Sequence, residues 1–488
     1  MRFFNYRKVT EEFKRLQYLQ QLSTLRSHLN LKYLALFGGS LLAGVLTILL
    51  LWKTGIPRQA IFMSGIFVIA GLLWVSEALS LFATAFLVIS LEILLLSNPG
   101  GWSVLGFEEG NSPDYKIFLA PLANPVIILF LGGFILAQAS VKEGVDKALA
   151  SNLLRVFGQK PATVMFGLMA ITAVFSMWMS NTATTAMMIA LTGPLLTQIP
   201  KGDPFRKALL LGIPFAANVG GLGTPIASPP NAVAVGFLKS SGIDITFFQW
   251  VLIATPLMVI MLFVTWAVLW NFYKPIAKDI KLVPEKQSID ARGFFVMIIF
   301  SVTILLWLSD AWHGLPTAVI ALLPVVAFTA TGIIRRSDLN SLEWHILILI
   351  AGGIALGVGM KETGLDVIII ELLPKNLSII FPMLIISTVL LSTFMSNTAA
   401  ANLIIPLGIS LAAGLGGGAE SLEIQLGVGI ALAASMAMSL PISTPPNAIA
   451  YAKGVLRTKD FTLAGGIIGV IAIILIIAGK DIITFWMT

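Results

Sequence analysis

The 488-residue chain has no cysteine, three histidines and little charge: only 11% of its residues are Asp, Glu, Lys or Arg. Each shortage excludes something. Without cysteine there is no disulfide frame, no thiolate metal site and no thiol nucleophile. His28, His313 and His345 fall in or beside expected loops or span ends and form no pair at helical spacing, so a histidine metal centre is improbable. No His-Glu-x-x-His motif occurs either, and with no activated nucleophile in sight an enzyme is a poor reading. The scarcity of charge, with 57% hydrophobic residues and a mean hydropathy of +0.92, lies far outside soluble composition and demands a multi-spanning membrane protein. The net charge of +7 does not point to nucleic acid, because the basic residues sit in short segments between apolar runs.

What the chain does have is a motif that occurs twice. Met-Ser-Asn-Thr-Ala stands at 179–183 and again at 395–399. Ser180-Asn181-Thr182 is followed by Ser228-Pro229-Pro230-Asn231, and Ser396-Asn397-Thr398 by Thr444-Pro445-Pro446-Asn447, with 48 residues between the serines and the Ser228 or Thr444 position in both halves. Each set interrupts a long apolar stretch. Matching interruptions in two halves are the best sequence pointer to a transporter's binding site. A second echo, Leu131-Gly132-Gly133-Phe134 with Gly144-Val145-Asp146 against Ala351-Gly352-Gly353-Ile354 with Gly364-Leu365-Asp366, extends the repeat upstream.

Counting apolar runs gives about eleven spans plus two stretches, 162–199 and 377–415, that are too long for one crossing and are broken by the motif. Each is either a re-entrant hairpin or a pair of crossings. The expected layout is an amphipathic N-terminal segment at 1–32, carrying Phe13, Leu16, Leu19, Leu22 and Leu25 at three-residue spacing, and an extra first span at 33–55. A first repeat at 56–275 contains the stretch 162–199 and a broken helix at 206–238; after a linker at 276–290, a second repeat at 291–488 contains 377–415 and a broken helix at 423–456. The long charged start followed by a spanning run argues against a cleaved signal peptide. With a cytoplasmic N-terminus, the inner segments 1–32, 142–160, 201–207, 274–292, 335–336 and 453–459 hold 24 of the 31 Lys and Arg, as the positive-inside rule requires. Five spans per repeat make the two units inverted with respect to each other.

Helices that restart inside a bilayer present free N–H groups and partial positive charge, which suit anionic oxygens, while the unwound carbonyls suit a hard monovalent cation such as Na+. No Lys or Arg lies within the motifs. A dianion there needs co-bound cations or helix dipoles to offset its burial. Among intramembrane acids, Glu77 reads as interfacial, whereas Glu92, Glu143 and Asp366 stay open as functional candidates. A channel gives no reason for inverted pairs of broken helices.

At these residues, and at Trp74-Val75-Ser76-Glu77-Ala78-Leu79, the chain resembles the divalent anion:sodium symporter family over about residues 55 to 488. The resemblance implies an all-α homodimer with eleven spans and two re-entrant hairpins per protomer, moving di- or tricarboxylates across the cell membrane by an elevator motion. It places substrate at Asn181, Thr182, Ser228, Asn397, Thr398, Thr444 and Pro445. It places one Na+ near Ser176, Ser180, Asn181 and the backbone of Ala227, and a second near Ser392, Asn397 and the backbone of Ser443. Ala399 follows the second motif where some Na+-coupled members have a polar side chain, and other members exchange anions without Na+. Succinate, malate, fumarate and 2-oxoglutarate are the expected substrates, by symport or exchange, with citrate and sulfate as alternatives.

Overall fold

A computed structural model describes residues 31–99, 112–276, 288–372, 376–414 and 419–485. The amphipathic segment expected at 1–32 and the linker at 276–290 fall almost entirely outside the described residues. Within them every regular element is helical, as a bilayer demands of a chain that must satisfy its backbone internally.

An extra helix α1 (Leu31–Leu51) comes first. The first repeat then holds α2 (Arg58–Ser76), α3 (Leu81–Leu96), α4 (Pro125–Lys142), α5 (Val145–Leu154), α6 (Pro161–Ser176), α7 (Asn181–Gln198), α8 (Phe205–Gly220), α9 (Pro229–Ser240) and α10 (Phe247–Phe272). The second repeats that order with α11 (Ala291–Leu308), α12 (Thr317–Ala330), α13 (Trp344–Thr363), α14 (Leu365–Leu372), α15 (Leu377–Phe394), α16 (Asn397–Gly414), α17 (Ala419–Ser435), α18 (Pro445–Tyr451) and α19 (Thr458–Ala478). Seven of the described helices are long and apolar enough to cross a membrane alone. This is fewer than the eleven spans expected because α3 and α12 are short and because α8–α9 and α17–α18 are divided by their Pro-Pro-Asn turns. The chain is a multi-pass membrane protein.

Helix starts follow local chemistry. Asn124 accepts from Val126 N (2.9 Å) ahead of Pro125, a residue whose missing N–H is harmless in a first turn. Thr246 and Gln249 form a capping box at α10, and Asp290 accepts from Gly293 N (2.8 Å) at α11.

The equivalent helices α8 and α17 run in opposite senses. The start of α8 meets the start of α19, where Lys207 Nζ binds Asp460 at 2.9 Å. The start of α17 meets the residues beyond the end of α19, where Gln425 Nε2 donates to Thr484 Oγ1 (3.3 Å). Helices α8 and α17 therefore begin at opposite ends of α19. The basic segments gather at the Lys207 end or pair among themselves: Lys142 binds Asp338, and Arg292 lies 3.5 Å from Glu143.

Helices α6 and α7 fold back on each other. Trp266 Nε1 of α10 donates to Ala162 O at the start of α6 (3.2 Å), and Arg206 of α8 donates to Leu196 O (2.9 Å) and Ile199 O (3.0 Å) at the end of α7. The intervening tip stops beside the break between α8 and α9, where Ser176 Oγ meets Ala217 O (2.8 Å). Helices α15 and α16 do the same beside the break between α17 and α18, where Ser392 Oγ meets Ala434 O (2.8 Å). The repeats interlock: α9 packs on α16 and α17, and α18 packs on α7 and α8.

Candidate functional site

The tips and breaks meet at one centre. Ser180 adopts an extended conformation ahead of α7 and accepts from Ala183 N (3.2 Å); Ser396 accepts from Ala399 N (3.1 Å). A serine at this position satisfies an amide that the restarting helix leaves without an intrahelical partner. Ser228 and Thr444 are likewise extended, with φ of −144° and −141°, and hand the chain to a proline at the first helical position.

The motif asparagines 231 and 447 act as struts. Asn231 Nδ2 donates to Gly221 O and Thr224 O (both 2.8 Å), and Asn447 Nδ2 to Met438 O and Leu440 O (both 3.0 Å). These are the carbonyls that the unwound segments would otherwise leave unpaired in a dry interior. Side chains also tie each tip to its break: Thr224 Oγ1 donates to Met177 O, and Ser443 Oγ to Thr393 O (2.8 Å). The job is the same, but it falls to different positions in the two halves.

Beneath each tip lies an oxygen cluster. Ser176 Oγ lies 2.7 Å from Asn181 Oδ1 and 2.8 Å from Ala217 O; Ser392 Oγ lies 2.8 Å from both Asn397 Oδ1 and Ala434 O. Ser176 and Ser392 are fully buried. One hydroxyl proton can bridge only one of two such acceptors, so each cluster carries more oxygen lone pairs than protons. That donor set suits a hard cation. The carbonyls meeting the serines are those of Ala217 and Ala434, one helix turn before the breaks, whereas the sequence pointed to the backbones of Ala227 and Ser443. Ala227 is buried within the first break and Ser443 in the second. Ala399 does not disturb the second cluster, whose distances match those of the first within 0.1 Å.

Of the expected substrate residues, Asn181, Thr182 and Asn397 are half-buried, Thr398, Ser228 and Thr444 are buried, and Pro445 is exposed. Two residues escaped sequence reasoning. Asn218 Nδ2 donates to Thr444 Oγ1 (3.2 Å) and lies 3.5 Å from Asn447 Oδ1, while Ser435 Oγ lies 3.4 Å from Ser228 Oγ. Both contacts cross between repeats, and they are equivalents of one another. The signal was present in Ala216-Ala217-Asn218 and Ala433-Ala434-Ser435, where a polar residue follows an alanine pair at an offset of 217, one more than that of the motifs.

The acids left open are distributed elsewhere. Glu77 is exposed at a left-handed turn (φ 49°), Glu143 pairs with Arg292, and Asp366 lies at the start of α14. Glu92 is buried between α3 and α13, and neither of its carboxylate oxygens has a hydrogen-bond partner among the described residues.

With this geometry in view, comparison with known proteins is informative. Residues 71–426 match the model of the citrate transporter family, CitMHS, a stretch that includes both Ser-Asn-Thr motifs and the first Pro-Pro-Asn turn. The chain belongs to that family. It is thus a transporter related to the divalent anion:sodium symporters, and not an enzyme. It is 29% identical over 513 residues to the sodium-dependent dicarboxylate transporter SdcS of Staphylococcus saprophyticus, covering 96% of this chain and 94% of that one. An uncharacterized transporter of Haemophilus influenzae is 29% identical over 427 residues (83% and 87%). An inorganic phosphate transporter of Saccharomyces cerevisiae is 33% identical over 348 residues, but the chain spans only 37% of its length, and only 47% of an uncharacterized Schizosaccharomyces pombe transporter. The crystal structure of the Alcanivorax borkumensis YdaH transporter superposes with a TM-score of 0.53 at 13% identity, covering 84% of this chain and 98% of that one, a likeness of fold.

Proposed function

We propose that the transporter carries four- and five-carbon dicarboxylates (succinate, malate, fumarate and 2-oxoglutarate) together with Na+ across the cell membrane, its N-terminus in the cytoplasm. The observation that carries this reading is the duplicated oxygen cluster at Ser176–Asn181–Ala217 and Ser392–Asn397–Ala434. Na+ held there gives the dianion the positive charge that no Lys or Arg in the motifs supplies. Asn181 and Asn397 turn their amide oxygens to the serines, which leaves their amide nitrogens as donors to a carboxylate. The N-termini of α7, α9 and α16 add partial positive charge.

The packing supports an elevator. In each Gly-Gly pair, the first glycine abuts a neighbour in the same frame of helices: a Cβ at Gly132 would lie 2.6 Å from Ala321 O, and one at Gly352 would lie 2.2 Å from Ala85 Cβ. The second glycine abuts the unit of hairpins and broken helices, Gly133 against Ile226 and Gly353 against Asn402. In this reading helices α4 and α13 form the face along which that unit slides, with two re-entrant hairpins per protomer of a homodimer, as the family resemblance implies. Ser180 and Ala183 share a cavity of about 120 Å³ with Gln138, Val141 and Glu343, at the end of α4 that carries Lys142. Toward the other end Phe237 presses on Gly357. A cavity of about 110 Å³ lined by Phe237, Gly357, Lys361 and Pro406 lies there too, but no Ser-Asn-Thr residue lines it, so in this reading the carrier faces inward.

A second reading, inorganic phosphate, is favoured by the 33% identity to the yeast phosphate transporter. Uptake of radiolabelled succinate and malate into proteoliposomes, with Na+ or choline outside and with phosphate as competitor, separates the two. Dicarboxylate uptake that needs Na+ and is lost in Asn181→Ala and Asn397→Ala is the expected result. Near-normal uptake by both variants would remove these residues from the site, and uptake of phosphate alone would replace the substrate.

A further inference from the structure

The hydroxyls of Ser228 and Thr444 each meet the other repeat, are equivalent in position and differ in polarity. Thr444 Oγ1 accepts twice, from Asn218 Nδ2 (3.2 Å) and from Asn447 N (3.3 Å). Its lone pairs are engaged, and what it has left to offer is its proton. Either hydroxyl could donate the 3.4 Å contact between Ser228 and Ser435; because Ala431 O (3.3 Å) can only accept, and Ser435 has one proton to give it, we assign the donor of that contact to Ser228. Ser228 has spent its proton and has only lone pairs left. On the Asn218 amide that donates to Thr444, Oδ1 is a further acceptor, buried and without a hydrogen-bond partner among the described residues. Its orientation is fixed by Asn447, whose Nδ2 is committed to Met438 O and Leu440 O, so that its Oδ1 can only accept from Asn218.

Thr444 therefore offers a donor, whereas Ser228 and the Oδ1 of Asn218 offer acceptors. We infer that the site selects divalent anions that carry a hydroxyl: a 2-hydroxydicarboxylate such as malate over succinate, and hydrogen phosphate over sulfate. This rests on the motif centre being the substrate site. A carboxylate or sulfate oxygen set against Ser228 and Asn218 would meet lone pairs with lone pairs. A hydroxyl supplies the missing proton, and a site built to bond one discriminates against the analogue without it.

The test is ligand binding to the purified full-length protein at fixed Na+ and neutral pH, read by calorimetry with malate, succinate, phosphate and sulfate as separate titrants. The expected result is a preference of about tenfold or more for malate over succinate and for phosphate over sulfate. In Ser435→Ala the Ser228 proton is released to serve a carboxylate, and the malate-to-succinate ratio falls toward one. Equal affinities within both pairs, or a preference for succinate and sulfate, overturn the inference even where dicarboxylate transport holds. A wild-type preference that persists unchanged in Ser435→Ala also overturns it, since Ser228 is then not the acceptor. Binding of phosphate over sulfate with neither dicarboxylate bound supports the polarity and overturns the dicarboxylate reading instead. Binding of none of the four overturns both. The wild-type comparison stands without the variant, and gel filtration checks that Ser435→Ala is folded.

Discussion

Replacing Ser176 or Ser392 by alanine tests whether the two oxygen clusters hold cations. Each serine lies within 2.8 Å of two further oxygens and is fully buried, so alanine removes one ligand and leaves an amide oxygen facing a carbonyl oxygen. A hydrogen bond or ligand contact to a charged partner contributes roughly 1.5–3 kcal/mol, which converts to a rise of about 10- to 150-fold in the Na+ concentration for half-saturation. The near identity of the two clusters makes the expected shift the same for both variants, with Ala399 having no effect on the second. Thermal stability of the detergent-purified protein, followed against NaCl at constant ionic strength with choline, reads the half-saturation through the stabilisation a bound ion gives. Substrate affinity measured in the same series should fall with the Na+ site, since coupling between ligands is reciprocal. If wild type shows no Na+ stabilisation, or if both variants keep the wild-type half-saturation, the clusters are hydrogen-bonded packing and the cation assignment fails. A shift in Ser176→Ala alone would leave one coupled ion.

Three further outcomes follow from the repeat. Trp178 stacks on Phe247 at 6.0 Å and Ile226 is 7% exposed against Gly133, whereas their counterparts Phe394 and Ile442 are 72% and 77% exposed. In the opposite-facing state the second pair should take up the buried role, with Ile442 against Gly353. In this cysteine-free chain Gly133→Cys with Ile226→Cys, whose Cβ atoms would lie 3.3 Å apart, close to disulfide geometry, should cross-link inward-facing carrier, and Gly353→Cys with Ile442→Cys should cross-link only the other state. A second pair that never links during turnover would contradict the elevator. Trp74→Phe and Trp307→Phe each remove an indole bond, to Leu81 O (3.2 Å) and Thr317 O (3.0 Å), and each should lower stability by about 0.5–1.5 kcal/mol; a neutral result for either in thermal melts would deny the bond its role. Burial holds the Asp146 carboxyl above its usual range, so charging it opposes the fold as pH rises through the unfolded-state value toward the native one. Asp146→Asn should therefore melt higher than wild type at neutral pH and lose that advantage as pH falls into the ordinary carboxylate range; a difference independent of pH would refute this cause.

How far the sequence could be read depended on whether a feature repeats at a constant offset. The motif pairs 180/396, 228/444 and 231/447 share one offset, and the structure brings all of them to one centre, with matching bonds at the first and third pairs. Another scaffold echo, beyond the Gly-Gly pairs, is just as real and went unseen. Trp74-Val75-Ser76-Glu77-Ala78 has a twin in Trp307-Leu308-Ser309-Asp310-Ala311, and both indoles donate to the first residue of the helix that follows. The twin was hidden because the connections between spans differ in length between repeats, so the register drifts even where the fold does not. Asn218 and Ser435 were missed for another reason: a single polar side chain in an apolar helix looks the same whether it packs or binds. Only the structure shows which hydroxyl it faces. That distinction matters because an inverted repeat brings equivalent residues together but does not make them chemically equal. Asn218 presents a donor to Thr444, whereas Ser435, its counterpart, takes one from Ser228. A two-fold site in which the partner on one side gives a proton and the partner on the other side takes one has two different poles, and so can tell the two ends of an unsymmetrical anion apart.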